Sequence, residues 1–363
     1  MPTRTTTAAI TFVTAIAIVT STLAIIDVAA HASPAAPNAP LLRLIDRFTA
    51  PGVPAMGEHE VAVRPRRPTE PTTMTLTDLP GDGLARHPMI YIGEGDNTIY
   101  LIDKGKVVWT YQTGLGNELD DVWLMTNGNL LFSRMTYIEI VTPEKKVIWH
   151  RDAPPGTEIH ACQPIGLDRV LLMENGTPAR LLIINIKTGK TEVEHEVPDA
   201  GPNVHPQFRR VRITAAGTYL LPFLAMNKVV EYDKHFKPIW TYEISSPWAA
   251  IRLRNGNTLI TNEKERLARE VNRKGETVWE YSLRTDLPAG LVMPGSQSNV
   301  RLANGNTVIC SRGGNGAGLQ LIEVTPDKKV VWALYDWKNL GPATAVQMLD
   351  DPCIPEKPGD CQR

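Results

Sequence analysis

DKGKVVWTY, residues 103–111, is the first copy of a phrase that recurs along this chain of 363 residues. The later copies share a lysine-containing turn followed by β-branched and aromatic residues, and they are PEKKVIWHR (143–151), KTGKTEVEH (187–195), KHFKPIWTY (234–242), RKGETVWEY (273–281) and PDKKVVWAL (326–334). The places of the tryptophan are Trp109, Trp149, Val193, Trp240, Trp279 and Trp332, at spacings of 40, 44, 47, 39 and 53 residues. Such a period is typical of one four-stranded unit per repeat. The phrase therefore predicts six units.

A second phrase, centred on Asn-Gly, lies between these copies. It reads TNGNLLFS (126–133), RNGNTLIT (254–261) and ANGNTVIC (303–310), with weaker forms GLDRVLLM (166–173) and AAGTYLLP (215–222). Asn-Gly favours a type I′ turn between two antiparallel strands. Each unit then has an inner strand, a second and a third strand, a lysine turn and an outer strand that carries the tryptophan. This is the blade of a β-propeller, so we predict an all-β fold with six blades.

The first blade lacks an inner strand, because MIYIGEG (89–95) aligns with the second strand of the other blades. The segment ATAVQMLD (343–350) resembles an inner strand but has no blade after it. Pairing this segment with Met89 to Gly93 would complete the first blade and close the ring, which removes both open sheet edges. We therefore expect closure by a strand near the C-terminus.

Bulk charge excludes some classes of partner. The chain has 38 Lys+Arg against 39 Asp+Glu, a net charge of -1, so a nucleic-acid-binding surface is not indicated. Arg4, the apolar run from Ala8 to Ile26, and Ala30-His31-Ala32 before Ser33 are typical of a secretory signal peptide. An uncleaved membrane anchor is the alternative. Either interpretation places the mature domain outside the cytoplasm, in the periplasm or secreted.

The chain thus divides into four segments: a signal peptide over 1–32, a Pro-rich irregular leader over 33–86, the propeller over 87–350 and a tail over 351–363. The leader either packs across the propeller or links it to a membrane tether. In the tail, Cys353 and Cys361 can close a short loop in an oxidising compartment, so we expect a disulfide. Cys162 and Cys310 fall in different blades and are expected to be buried free thiols.

The inner strands suggest a binding site. Aligned on their apolar flanks, they place one residue per blade at a common register, and these residues are Trp123, Gln163, Arg212, Arg252, Arg301 and Gln347. Three guanidiniums converging on the channel, with Arg209 and Arg210 close by, would bind an anion such as a carboxylate, sulfate or phosphate. The alternative is that each arginine pairs with an acidic residue, for which Asp120 and Asp121 are the nearest candidates.

Two histidines lie just before inner strands, where loops open at one mouth of the channel. These are His160 in TEIHACQPIG and His205 in GPNVHPQFRR, and either could be a general base, a nucleophile or a metal ligand. A structural hydrogen bond is the alternative for both. Trp123 and Trp248 fall outside the period of the outer-strand tryptophans, so they could form a platform for an aryl group or sugar ring beside the arginines, or could fill the core.

Two families resemble this chain over about residues 87–350. DKGKVVWTYQTG (103–114) resembles the docking motif of quinoprotein-like, PQQ-binding-like propellers, and the alternation of NGN with VWEY resembles arylsulfate sulfotransferase propellers. Quinoproteins usually have eight blades and often a vicinal cysteine pair. Six blades are predicted here and the sequence has no such pair, so we expect no quinone cofactor. The sulfotransferase resemblance implies six blades and a channel in which His160, His205 and an arginine act on a sulfuryl group.

Two classes of function remain after these observations. One is an exported propeller that binds an anionic small molecule, an acidic sugar or a peptide at the channel mouth. The other is a transferase or lyase that acts on an anionic substrate with His160 or His205 as base or nucleophile. We expect no cofactor, no metal, no nucleic acid and no membrane span after signal cleavage. A third possibility is a structural role in which the partner is an envelope protein.

Overall fold

A computed structural model of the protein describes residues 1, 40–54, 79–95, 97–114, 117–198, 200–313 and 317–363. In chain order the strands are β1 (Met89–Ile92), β2 (Thr98–Asp103), β3 (Lys106–Gln112), β4 (Leu119–Leu124), β5 (Leu130–Arg134), β6 (Tyr137–Val141), β7 (Val147–Asp152), β8 (Glu158–Ile165), β9 (Arg169–Asn175), β10 (Ala179–Asn185), β11 (Thr191–Val197), β12 (Arg212–Ile213), β13 (Tyr219–Phe223), β14 (Lys228–Tyr232), β15 (Pro238–Glu243), β16 (Pro247–Arg252), β17 (Thr258–Asn262), β18 (Leu267–Val271), β19 (Thr277–Ser282), β20 (Asn299–Arg301), β21 (Thr307–Cys310), β22 (Leu321–Val324), β23 (Val330–Leu334) and β24 (Ala345–Met348).

These strands form six four-stranded antiparallel sheets, which are the blades of a six-bladed β-propeller. Blade 1 has the order β24-β1-β2-β3, and blades 2 to 6 are β4 to β7, β8 to β11, β12 to β15, β16 to β19 and β20 to β23. The predicted fold class is therefore confirmed. The only α-helix in the described residues is α1 (Ile45–Phe48), and none of their helices is long and apolar enough to cross a membrane.

The ring closes as the unmatched segment predicted. β24 pairs antiparallel with β1, with Met89 opposite Met348 and Ile92 opposite Ala345. The residues of β24 are at most 2% exposed, so the strand is part of the core rather than an edge. Closure leaves blade 1 with four strands, like the other five blades.

The Asn-Gly hairpins differ from the expected type I′ turn. A type I′ turn needs a positive φ at both central residues, but in blade 2 only Gly128 has one, at +85°, while Asn127 does not. The Gly128 N–H donates to the Met125 carbonyl at 2.8 Å, and the Met125 N–H donates to Asn129 at 2.9 Å. The turn is thus a type I turn followed by a left-handed glycine, and that glycine marks the strand register in every Asn-Gly blade.

The outer-strand tryptophans join neighbouring blades, as the period predicted. The indole N–H of Trp109 donates to the Pro143 carbonyl at 2.9 Å, and that of Trp279 donates to Pro326 at 3.0 Å. Each acceptor lies in the lysine turn of the next blade, so these hydrogen bonds connect blade 1 with blade 2 and blade 5 with blade 6. Phe48 of α1 packs edge-on against Trp109 with ring centroids 5.1 Å apart, so this described part of the leader lies against the propeller.

The tail folds back over the hairpin end of the channel. It carries the predicted disulfide between Cys353 and Cys361, and Cys162 and Cys310 are buried and free. The tail makes hydrogen bonds to blades 2, 3 and 6 through the pairs Thr126–Glu356, Gly166–Glu356, Ala303–Asp351 and Arg301–Gln362. These contacts position Arg363 inside the channel, where it is 3% exposed. The signal segment and most of the leader lie outside the described residues.

His87, Asp350 and Glu323 are in contact where the ring closes, and we call them the histidine clasp. Their contacts predict a pH dependence of stability. His87 Nδ1 lies 2.7 Å from Asp350 and Nε2 lies 3.2 Å from Glu323. Burial alone would lower the pKa of His87, but the hydrogen bonds to Asp350 and Glu323 raise its pKa to about 9. Because this folded-state pKa is above the unfolded value, the clasp stabilises fully below about pH 6.5, and the stabilisation is lost as pH rises through about 9.

Urea unfolding of the wild type and of His87→Gln at several pH values checks this expectation. The wild type should exceed the variant by about 3 kcal/mol near pH 6, from a pKa shift of roughly two units or more at about 1.4 kcal/mol each, and the difference should vanish above about pH 9. A difference in free energy of unfolding that stays constant with pH would show that the clasp does not depend on imidazolium.

Candidate functional site

One inner-strand position supplies a side chain from every blade to the mouth of the channel. In blades 2, 4, 5 and 6 this position lies eight residues before the hairpin glycine, which is Gly128, Gly217, Gly256 or Gly305. In blades 1 and 3 the pairing of the inner strand with the second strand identifies the equivalent residue. The six residues are Asp120, His160, Arg209, Trp248, Gln297 and Thr344. All are buried, at 0–3% exposure. We call them the mouth ring.

β-bulges turn three of these side chains out of the regular pairing. The register of the inner strand shifts at Asp120, at His160 and at Trp248, so each is an extra residue opposite the second strand. A bulge re-aims its side chain and is common beside active sites. The predicted loop position of His160 is therefore corrected, because this residue lies within β8. His205 does lie in a loop, as predicted.

Further polar residues surround the ring, and contacts connect them in one cluster. They are Glu94, Glu118, Glu158, His205, Glu263 and Arg312, and with the mouth ring they form what we call the mouth cluster. Arg312 bridges Glu94 and Glu263 at 3.0 Å each. Gln297 donates to Glu94 at 2.9 Å, so blades 1, 5 and 6 are connected on one side of the cluster.

His160 is bonded on both ring nitrogens. Nδ1 lies 2.6 Å from Asp120 and Nε2 lies 2.8 Å from Glu158, and the ring is fully buried. Burial and Arg209 act to lower the pKa of His160, but the two carboxylates more than offset them and raise its pKa above the usual value. A buried imidazolium between two carboxylates is a positioning group, so we do not assign it the role of base.

His205 is the histidine that solvent can reach, because its side chain is 48% exposed. Nδ1 lies 2.9 Å from Glu158, and Nε2 lies 2.9 Å from Nη2 of Arg209. Nε2 also lies 3.3 Å from Oε1 of Glu118, so it contacts both a guanidinium, which can only donate, and a carboxylate, which can only accept. In the tautomer that carries its proton on Nδ1, Nδ1–H donates to Glu158 and the Nε2 lone pair faces Arg209.

The carboxyl groups of the cluster have opposed pKa values. Burial, followed by the charges of Asp120 and Glu118, raises the pKa of Glu94 to about 8. Burial would raise the pKa of Glu158, but hydrogen bonds from His160 and His205 lower its pKa to about 2. Near neutral pH, Glu94 is thus an acid that can give a proton, while Glu158 is a carboxylate. Carboxyl groups whose pKa values are driven apart are typical of acid–base sites.

Some of these residues could also hold a metal ion. Ligand atoms of Glu118, His160 and His205 lie within 4.8 Å of one another, as do those of Glu94, Glu118 and Asp120. Nη2 of Arg209, however, lies 2.9 Å from His205 Nε2 and 3.5 Å from Glu118. This guanidinium would repel a cation bound between those ligands. The first group therefore fits proton transfer better than metal coordination.

The three arginines of the predicted ring do not converge on one point. Arg212 lies five residues before its hairpin glycine, whereas Arg252 and Arg301 lie four residues before theirs, so the alignment on apolar flanks was wrong by one residue. A slip of one residue along a strand reverses the face that a side chain occupies. The residues that share the register of Arg212 in those two blades are Ile251 and Val300.

Each arginine instead makes a salt bridge, which is the alternative considered above. Arg252 binds Glu231 of blade 4 at 2.6 Å and stacks on Trp240, with 5.0 Å to the ring centroid. Arg301 repeats this arrangement with Glu270 at 2.8 Å and Trp279 of blade 5. Arg212 binds Asp121 at 2.7 Å, one of the two partners expected from the sequence. Arg252 and Arg301 therefore fasten blades together.

The two predicted glutamines also connect blades. Gln163 accepts from the Ile213 N–H at 2.8 Å, and Gln347 accepts from the Leu124 N–H at 2.7 Å. Both acceptors bind backbone of the following blade. Whether either residue binds a ligand stays a prediction.

The remaining predicted residues lie beside arginines. Trp123 is between the guanidiniums of Arg212 and Arg363, at 4.9 and 4.3 Å from its ring centroid. Trp248 lies beside Arg209 in the mouth ring at 5.2 Å, and its buried indole N–H has no partner among the described residues. Whether Trp248 contacts a ligand stays a prediction. Arg210 is 1% exposed and lies below the mouth, next to Asp121.

Several members of the mouth cluster were not anticipated from the sequence. These are Glu94, Glu118, Glu158, Glu263, Gln297, Arg312 and Arg209 in its contact with His205. Two signals were available. Glu118 and Glu158 each precede a mouth-ring residue by two positions, the spacing of one strand face. Arg209 and Gln297 each lie eight residues before a hairpin glycine, whereas Glu94, Glu263 and Arg312 come from loops whose conformation no repeat determines.

Comparisons with known proteins support the fold. No family model and no curated protein matches the sequence. Among solved structures, a protein of unknown function from Bacteroides caccae is 25% identical, with a TM-score of 0.65, covering 71% of this chain and 97% of that one. A catalytically inactive histidine-to-alanine variant of virginiamycin B lyase from Staphylococcus aureus, with quinupristin, is 13% identical, with a TM-score of 0.51 and coverage of 77% and 97%. A streptogramin B lyase is 11% identical, with a TM-score of 0.50 and coverage of 72% and 85%.

At these identities the likeness to the two lyases shows a shared propeller architecture. The finer resemblance to arylsulfate sulfotransferases and quinoproteins stays a hypothesis.

Proposed function

We propose that the mouth cluster is the active site of a lyase that acts on an anionic substrate, and that uronate-containing carbohydrates are the substrate class. One observation carries this proposal. Nε2 of the half-exposed His205 lies 2.9 Å from Nη2 of Arg209, and in the tautomer that carries its proton on Nδ1 this nitrogen has a lone pair. Elimination from a uronate needs a base at the carbon next to the carboxylate and a positive charge at that carboxylate. A base and an arginine in contact meet both needs.

The proposed step is a β-elimination with the following balance. His205 Nε2 takes the proton from the carbon next to the substrate carboxylate, and the electron pair of that C–H bond forms a carbon–carbon double bond. The bond between the neighbouring carbon and the leaving oxygen breaks, and Glu94 gives its proton to that oxygen. Arg209 holds the carboxylate, while Glu158 orients His205 through Nδ1 at 2.9 Å. The products are an unsaturated uronate and an alcohol.

The neighbouring structures favour a lyase over other uses of the site. Two of them are named as lyases, and in one a histidine-to-alanine change accompanies loss of catalysis. Trp248 beside Arg209 adds an aromatic surface suited to a sugar ring. If the protein only binds its anionic ligand, uronates will stabilise it without being changed, and the same experiments report that outcome.

We also propose that the protein is exported and acts in the periplasm or outside the cell. The disulfide between Cys353 and Cys361 supports this, because such bonds persist in oxidising compartments. N-terminal sequencing of the mature protein should begin at Ser33, and alkylation with mass spectrometry should find one disulfide and two free thiols. An intact N-terminus in the exported fraction would instead support a retained anchor.

The pH profile of activity tests the role of Glu94. Burial raises the pKa of this carboxyl to about 8, so the acid form should be active and the rate should fall as pH rises through about 8. The assay follows the ultraviolet absorbance of the unsaturated product with polygalacturonate, alginate and glycosaminoglycan oligosaccharides. Glu94→Gln should lose about 100-fold or more in rate and should no longer show the alkaline fall.

Glu280→Gln is the matched control, because Glu280 is likewise paired with an arginine, Arg269 at 2.6 Å, but lies on the outer strand of blade 5, outside the mouth cluster. This variant should keep both the rate and the alkaline fall. An alkaline fall that persists unchanged in Glu94→Gln would remove Glu94 from the mechanism.

A further inference from the structure

Below the mouth, three arginines share one carboxylate inside the channel. Arg210, Arg212 and Arg363 are 1%, 5% and 3% exposed, and Asp121 is fully buried. Asp121 lies 2.7 Å from Arg212, 3.4 Å from Arg210 and 4.0 Å from Arg363. Among the described residues it is the only carboxylate side chain within salt-bridge distance of any of the three. The side chains of this axial cluster therefore carry two more positive charges than negative ones, and the carboxylate of the last residue, Arg363, which accepts from Arg212 Nε at 2.9 Å, lowers that excess to one.

The three arginines also differ in how many of their N–H donors have a hydrogen-bond partner. Arg212 is satisfied, since it donates to Asp121 from both Nη atoms and to the main-chain oxygen of Arg363 from Nε. Arg210 has only Nη1 bonded, to the Asp120 carbonyl, while its Nε and Nη2 are buried without a partner among the described residues. Nη2 of Arg363 is likewise buried without a hydrogen-bond partner among the described residues. Three charged N–H donor atoms of two arginines are thus left free.

Such an arrangement is costly unless something else supplies negative charge. A buried ion without a partner is strongly unfavourable, and buried polar groups are almost always hydrogen-bonded. The neighbouring thiols do not supply charge, because burial raises the pKa of Cys310 to about 11 and holds the pKa of Cys162 well above its usual value. The charges and the free donors call for the same ligand, an anion.

We propose that a small inorganic anion of chloride size binds inside the channel against Arg210 and Arg363. Its size is limited by the burial of both side chains, which excludes ligands with bulky substituents. A small pocket on the hairpin side is lined by Arg212, Arg252, Arg363 and Gln163 next to the disulfide residue Cys361, so it reaches Arg363, while Arg210 lies outside its lining. The anion would fasten the tail to the propeller through Arg363. This site is separate from the mouth cluster and does not depend on its proposed chemistry.

Thermal unfolding at constant ionic strength tests the proposal. Replacing sodium gluconate by sodium chloride, bromide or nitrate should raise the melting temperature of the wild type by about 2–4 °C, because an ion that binds only the folded state stabilises it. Arg210→Met should abolish this rise. Arg301→Met is the matched control: it removes an arginine that is salt-bridged to Glu270 and lies outside the pocket, so it should melt lower in every salt while keeping the full anion effect.

A second measurement covers the case in which Arg210→Met does not fold. Crystals of the wild type grown in bromide should show an anomalous peak within hydrogen-bonding distance of Arg210 and Arg363. Bromide peaks confined to surface side chains would overturn the proposal. So would a wild-type melting temperature that is the same in gluconate and chloride, or a rise that Arg210→Met retains in full.

Discussion

Deletion of residues 343–363 will leave a protein that no longer unfolds cooperatively and that aggregates at temperatures where the full chain is folded. The deletion removes β24 and exposes the backbone of β1 along an open edge. It also removes Val346, Met348 and Leu349, which are at most 2% exposed. At about 1.5–3 kcal/mol for each buried side chain, their loss is comparable to the whole stability of a typical domain, about 5–15 kcal/mol.

A shorter deletion, of residues 351–363, is the matched control. It keeps β24 and the Asp350 partner of His87 but removes the disulfide and Arg363. This variant should remain folded, with a lower melting temperature. Calorimetry and size-exclusion chromatography of both deletions measure the difference. A melting temperature of the 343–363 deletion equal to that of the full chain would contradict closure by β24.

His205→Ala will reduce the turnover of a uronate substrate by about 100- to 10,000-fold, the contribution typical of a general base. The loss should fall on kcat rather than on substrate binding, because Arg209, which holds the carboxylate in the proposed step, remains. His205 is about half exposed, so the variant should fold as the wild type does. Steady-state kinetics together with circular dichroism separate a catalytic defect from a structural one.

His150→Ala provides the control for a histidine bound by carboxylates. His150 lies 2.8 Å from Glu139 and 3.0 Å from Asp152 and is 40% exposed, so its surroundings resemble those of His205, but it lies on the outer strand of blade 2. This variant should retain wild-type turnover. Equal losses in the two variants would show that the effect of His205→Ala is not specific to the mouth.

The architecture could be predicted because it depends on local patterns that recur. The lysine turn and the tryptophan place identify each blade, the hairpin glycine marks four of them, and the unmatched segment around Val346 predicts closure. The disulfide of the tail followed from two cysteines in a short loop. These features need no knowledge of contacts between distant residues.

The arginine ring could not be predicted correctly from apolar flanks alone. In a buried strand both faces are apolar, so the flanks of Arg212 and Arg252 look alike although the two side chains occupy opposite faces. Counting back from Gly217 and Gly256 distinguishes them, and the same count brings Asp120, Arg209 and Trp248 into one register. The hairpin glycine is thus the better reference point for aligning blades.

Contacts made by loops and by the tail could not be predicted from the sequence. The approach of Glu94 to Gln297 joins blades 1 and 6, and Arg363 enters the channel only because the tail folds under the propeller. Both depend on long-range packing that no repeat encodes. The proposed acid of the mouth cluster and the axial anion site therefore became visible only in three dimensions.

The masses of the products formed from uronate oligosaccharides test the central claim most directly. Elimination at the mouth cluster should release an unsaturated fragment that is lighter by one water than the corresponding hydrolysis product, and its formation should depend on His205 and Glu94. Hydrolysed fragments, or oligosaccharides that stay intact across the whole panel, would contradict a uronate lyase.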